Sequence, residues 1–113
     1  MIHAVLEKGE AGLAGCRMTG HSGWAEAGSD IVCAAVSILG STCVNALESV
    51  CGIQPVVTGN EDGVLSFHLP EMTAEENEKA QILMGALRQG LSDLAAEYPQ
   101  NVKLSMKERR IRR

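Results

Sequence analysis

A two-layer α+β domain of order ββαββαβ, with a mostly antiparallel sheet and two main helices, is the fold class the sequence predicts. Three observations lead there. Short segments alternate apolar and polar residues, as strands with one buried face do. Two longer stretches place apolar residues at helical spacing, one of them opening on a capping box. Glycine and proline punctuate the joins between them. The chain has 113 residues, enough for one hydrophobic core and not two, so 1–113 is read as a single domain with a basic, frayed tail at 109–113.

Ile2, Ala4 and Leu6 alternate with His3, Val5 and Glu7, which predicts a strand over Met1 to Lys8. Gly9 to Gly12 reads as a hairpin turn into a second strand over Leu13 to Thr19. The segment from Gly20 to Ser29 is too polar and too interrupted by glycine for a core element. From Asp30 to about Val50 the stripe Val32, Val36, Leu39, Cys43, Leu47 and Val50 predicts a helix, with Ser29 or Asp30 as its N-cap.

Ile53 to Thr58 is expected as a strand in which Pro55 favours an edge or a start. Gly59 to Gly63 is expected as a turn and Val64 to Leu69 as a further strand. Thr73 and Glu76 form the capping box of a second helix, whose stripe is Ala80, Leu83, Leu87, Leu91, Leu94 and Tyr98. Pro99 stops it. Val102, Leu104 and Met106 then alternate with polar neighbours and predict a last, half-exposed strand.

The 45% apolar and 21% charged composition suits a soluble globular protein, and 3% aromatic content predicts an aliphatic core. So few aromatic rings argue against a stacking platform for single strands of nucleic acid. The net charge is −4, yet Arg109, Arg110, Arg112 and Arg113 stand in the last five positions, so residues 1–108 carry six basic against fourteen acidic side chains. That acidic body disfavours broad phosphate binding and suits a basic peptide or partner. Glu7, Lys8 and Glu10 interrupt any leader-like apolar run, no stretch is read as long enough to span a membrane, and a cytoplasmic location is expected.

Cys16, Cys33, Cys43 and Cys51 contain no Cys-x-x-Cys pair, so neither a zinc knuckle nor a redox motif is expected. Neither a metal nor another cofactor is predicted. Cys33 falls in the first turn of the first helix, where unpaired amides and the positive end of the helix dipole favour a thiolate. Burial as a small apolar side chain is the alternative. Cys43 lies on the apolar stripe, and Cys16 and Cys51 are expected to be structural.

His21 lies in the loop twelve residues before Cys33, near enough for a turn to bring its imidazole to the thiol. Such a pair can share the thiol proton and later return it to a leaving amine. A solvent-exposed loop histidine is the alternative. His3 and His68 fall in strands and are expected to serve surface or core. Asp30 and Ser37 bracket Cys33 on one side of the helix. Asp30 can cap the helix or orient His21, and Ser37 can donate near the thiol, with simple packing open for each.

Gly20-His21-Ser22-Gly23, followed by Gly28-Ser29-Asp30-Ile31-Val32-Cys33-Ala34-Ala35-Val36-Ser37, resembles the bacterial ribosomal-processing cysteine protease family, Prp. The resemblance implies a homodimeric cysteine endopeptidase that removes a short N-terminal extension from ribosomal large-subunit protein twenty-seven. It implies His21 and Cys33 as the catalytic dyad, with Asp30 and Ser37 in support. Ser22 stands where many relatives carry Ala, and Trp24 where Tyr is usual.

The loop containing Gly20, Ser22, Gly23, Trp24 and Gly28 is then expected to fold over an extended precursor peptide, its glycines letting substrate backbone approach. The reading calls for neither nucleic acid nor membrane. Two rivals stand beside it: a non-catalytic ribosome-associated binding module, and a thiol redox sensor using Cys33.

Overall fold

The computed structural model describes residues 1–26 and 28–109. The chain runs β1 (Ile2–Gly9), β2 (Gly12–Thr19), α1 (Ile31–Ser49), β3 (Val56–Glu61), β4 (Val64–His68), α2 (Ala74–Glu97) and β5 (Val102–Glu108). The five strands form one sheet in the order β3-β4-β2-β1-β5. Every neighbouring pair is antiparallel except β1 with β5, which run parallel from Ile2 opposite Val102 to Lys8 opposite Glu108. The fold is the α+β class predicted.

Alternation in the strands determines which face is covered. Leu6, Cys16 and Phe67 lie side by side across β1, β2 and β4, and none is more than 1% exposed. With Ala4, Met18 and Val102 they join Val36, Cys43 and Leu47 of α1 and Ala80, Met84, Leu87 and Leu91 of α2 in one core. Complete burial of a side chain such as Leu6 or Phe67 contributes about 1.5–3 kcal/mol. His3, Arg17, Lys103 and Lys107 occupy the alternate positions and remain exposed.

Both helix starts follow from their caps. Asp30 is the N-cap of α1, its carboxylate accepting from the Cys33 amide. Thr73 Oγ1 accepts from Glu76 N at 3.1 Å, and Glu76 Oε1 accepts from Thr73 N at 2.9 Å, completing the capping box of α2.

Five expectations need correction. β3 begins after Pro55 and continues through Glu61, because a bulge between Val57 and Gly59 takes up Thr58, whose hydroxyl donates to Ser66 Oγ at 2.9 Å. The expected turn over Gly59 to Gly63 therefore shrinks to Asp62 and Gly63. Val50 is not on the buried stripe: it is the C-cap of α1 and 73% exposed, since the helix stops at Ser49 and Ile53 enters the core instead.

Arg109 is not frayed. Its amide donates to Lys8 O at 2.8 Å, extending the β1–β5 pairing, and its guanidinium meets Glu7 at 3.2 Å. The remaining predicted tail, 110–113, lies outside the described residues. Lastly, α1 is long and apolar enough to cross a membrane by length and composition. Its Val32, Val36, Cys43 and Leu47 nevertheless pack into the domain core.

Candidate active site

Cys33 is half-buried in the first turn of α1, with its amide donated to Asp30 Oδ1 at 2.9 Å. It lines a cleft of about 190 Å³. Ser37 and Ser41 follow it at successive turns along the same wall, and His21 and Gly20 form the rim on the β2 side. Asn60, Glu61 and Asp62, from the end of β3 and its turn into β4, close the third side. The thiol and the imidazole predicted to act together thus share one solvent-open cavity.

Two glycines bring the walls together. The Gly20 amide donates to Gly63 O at 2.8 Å, joining the exit of β2 to the β3–β4 turn. Gly63 has φ +74°, and a Cβ built on it would stand 3.0 Å from His21 Nε2. The imidazole therefore rests on backbone that only glycine leaves clear. Sequence reading placed Gly63 in a turn but gave no sign that the His21 ring would lie over it.

Asp30 does not reach His21 through any bond among the described residues; it is occupied elsewhere. Its Oδ1 holds the Cys33 amide, and its Oδ2 accepts from the Ser22 hydroxyl and, at 3.4 Å, from the Ala25 amide. The Ser22 hydroxyl first, then the Cys33 amide, hold this carboxyl below the usual carboxylate range. Of Asp30's two expected roles, capping is the one seen.

Within the predicted substrate loop, Gly20 lines the cleft while Ser22, Gly23, Trp24 and Gly28 do not. Ser22 is 2% exposed and accepts from the Trp24 amide at 3.1 Å. Its carbonyl accepts from Asn101 Nδ2 at 2.9 Å, and the Trp24 ring meets Tyr98 edge-on at 6.5 Å between centroids. Sequence reading passed over Asn101, since a single polar residue after Pro99 carries no signal beyond a turn.

The other thiols are placed differently. Burial pushes the Cys16 thiol up to about 12 and the Cys43 thiol up to about 11, so both remain protonated and inert. Cys51 packs against the core. His3 is exposed on the open face of the sheet, and His68 is held below its ordinary value by burial and then by Arg109. Among the described residues no group of three or more His, Cys, Asp or Glu side chains is arranged to hold a metal ion.

A thiol at a helix start and an imidazole on the same cleft are groups that acyl transfer can use. Residues 1–103 match the family model described as cysteine protease Prp. The chain is 32% identical over 108 residues to the ribosomal processing cysteine protease Prp of Bacillus subtilis, covering 93% of this chain and 96% of that protein. Among solved structures, SMU.848 from Streptococcus mutans superposes with a TM-score of 0.82 at 34% identity, covering 96% of each chain. The essential ribosomal processing protease Prp of S. aureus, in complex with a covalently linked product peptide, superposes with a TM-score of 0.84 at 26% identity, over 95% of this chain and 100% of that one. The chain belongs to the Prp family of cysteine proteases and is a peptide hydrolase.

Proposed function

We propose that this protease removes the N-terminal extension of ribosomal large-subunit protein twenty-seven, with Cys33 as nucleophile and His21 as general base. The observation that carries the reading is the placement of both side chains on one cleft, with Cys33 in the first turn of α1. His21 takes the thiol proton and the Cys33 sulfur attacks the scissile carbonyl. The positive end of the α1 dipole, beside which the sulfur sits, favours the developing oxyanion. Collapse of the tetrahedral intermediate breaks the C–N bond, and the imidazolium gives its proton to the leaving amine. Water, deprotonated by His21, then hydrolyses the thioester and restores the thiol.

Three further parts of the reading have physical support. Glu61 and Asp62 on the cleft wall suit the basic chain of a ribosomal protein. The Gly20–Ser29 loop, which borders the cleft through Gly20 and His21, folds over the bound peptide. Ser37, one turn beyond Cys33 on the same wall, donates toward the reacting carbonyl.

The enzyme works as a homodimer in the cytoplasm, where ribosomal proteins are made. Ile31 and Ile38, 57% and 63% exposed on α1, supply an apolar face that a second copy would cover. Incubation with a peptide spanning the extension, read by mass spectrometry, tests the activity. One cut, abolished by Cys33→Ala, is expected; an intact peptide, or equal cleavage by the variant, would refute the assignment.

A further inference from the structure

We infer that the Tyr98–Asn101 corner, between α2 and β5, is the seat of the catalytic loop, and that Asn101 is a positioning residue for hydrolysis that acts through His21. The inference rests on His21 being the base.

The loop leaves β2 after Thr19 and enters α1 at Ile31. A base carried on such an irregular segment needs fixed points close by on both sides, because catalysis is sensitive to displacements below 1 Å. One fixed point precedes His21, where the Gly20 amide meets Gly63 O. The other directly follows it. Ser22 is buried, and its carbonyl takes its hydrogen bond from Asn101 Nδ2, 79 residues away in sequence.

Asn101 is itself rigidly held. Its amide donates to Tyr98 O at 3.0 Å and its carbonyl accepts from Ile2 N at 2.8 Å, so its position belongs to the sheet and not to the loop. Tyr98 holds a second part of the loop by edge-on contact with Trp24. From Ser22 the connection continues through the hydroxyl to Asp30 Oδ2, and from Asp30 Oδ1 to the Cys33 amide. One run of hydrogen bonds therefore joins the Asn101 side chain to the residue after the imidazole and to the residue bearing the thiol. Removing its first link leaves both chemical groups present and frees one to move against the other.

The experiment compares Asn101→Ala and the isosteric Asn101→Asp, which keeps the shape and loses the donor, in the full chain and in a His21→Ala background. Rates are taken on the extension peptide, with slow variants followed in single turnover at excess enzyme. In the parent background kcat should fall about 10- to 100-fold with KM unchanged, while backbone amides of residues 20–24 exchange with solvent faster and those of α1 and the sheet do not. In the His21→Ala background the same substitutions should reduce the rate no more than about twofold, because groups acting as a unit are not additive.

Parent-like kcat in both Asn101 variants, or an equal fold-loss with and without His21, would overturn the inference. If His21→Ala cleaves at the parent rate, the base assignment fails and takes the inference with it. If His21→Ala is slow and the Asn101 variants are not, only the positioning role fails. Should neither Asn101 variant fold, Tyr98→Leu, which removes the seat of Trp24, decides the matter by the same two readouts.

Discussion

Asp30 accepts the main-chain amide of Cys33 at 2.9 Å, and the second oxygen of the same carboxylate accepts the Ser22 hydroxyl. One side chain thus starts the helix that carries Cys33 and anchors the loop that carries His21. Asp30→Ala should lower the thermal midpoint by roughly 4–8 °C through loss of the cap, and should reduce peptide cleavage more than that destabilisation explains. Asp30→Asn keeps an acceptor for the cap and should unfold within a few degrees of the parent. Thermal scans with parallel rate measurements separate the two functions. A parent-like rate in Asp30→Ala would deny the carboxylate any part in arranging the site.

The same contacts imply a direction in pH. Because the folded protein holds the Asp30 carboxyl below its ordinary value of 3.8, its contribution is complete above that value and is lost as pH falls through the lower, folded-state one. Urea unfolding between pH 5 and pH 2 should show Asp30→Asn losing less stability on acidification than the parent. Equal losses would mean that other carboxylates account for the acid limb.

Cysteine reactivity offers an independent check. Cys33 opens on the cleft, whereas Cys16 and Cys43 are 0% and 6% exposed and stay protonated through neutral pH. A brief exposure of the native protein to iodoacetamide at pH 8, followed by peptide mapping, should label Cys33 first and leave Cys16 and Cys43 unmodified. In Cys33→Ser the fast label should disappear, together with cleavage, while the thermal midpoint moves by no more than a few degrees. Fast labelling of Cys16 would contradict the packing of β2.

The buried Cys16 thiol also sets an alkaline limit. Its value rises from 9.0 to about 12, chiefly by burial. An unfolded chain therefore releases this proton first, and the stabilisation held below pH 9 is lost as pH climbs toward 12. The full loss is on the order of a few kcal/mol. Cys16→Ala should be less stable than the parent at pH 7, from the cavity it leaves, and should narrow that gap at pH 10.5. A gap of unchanged size in urea titrations would show that the thiol is not the responsible group.

Much of this architecture was legible because each element carries local chemistry that agrees with its surroundings. Ile2, Ala4 and Leu6 alternate as a half-buried strand must, and Thr73 with Glu76 announces a helix start that the structure reproduces bond for bond. Cys33 and His21 were legible as neighbours on one cleft, because the loop between them runs from a strand exit to a helix start. Less legible was whatever depends on long-range geometry. The bulge at Thr58, the seating of His21 on Gly63 and the grip of Asn101 on Ser22 each join residues from different elements. Met84 was left off the predicted stripe of α2 although it falls four residues after Ala80 and three before Leu87; it is buried there with its sulfur 3.9 Å from that of Cys43 of α1.

Two glycines separate backbone strain from displacement of the imidazole. Gly63 and Gly52 have φ of +74° and +69°, a conformation that costs an L-residue roughly 1–2 kcal/mol. A Cβ at Gly52 meets nothing within 4 Å, whereas one at Gly63 lies 3.0, 3.4 and 3.6 Å from three atoms of the His21 ring. Alanine at either position should therefore destabilise the fold by a similar amount. Only Gly63→Ala should also move the ring away from the cleft. The expected outcome is a comparable fall in thermal midpoint for both variants, with kcat near the parent value in Gly52→Ala and at least about 10-fold lower in Gly63→Ala. Matching activities at matching stabilities would mean that the ring can leave its glycine seat without consequence, and that the β3–β4 turn plays no part in positioning His21.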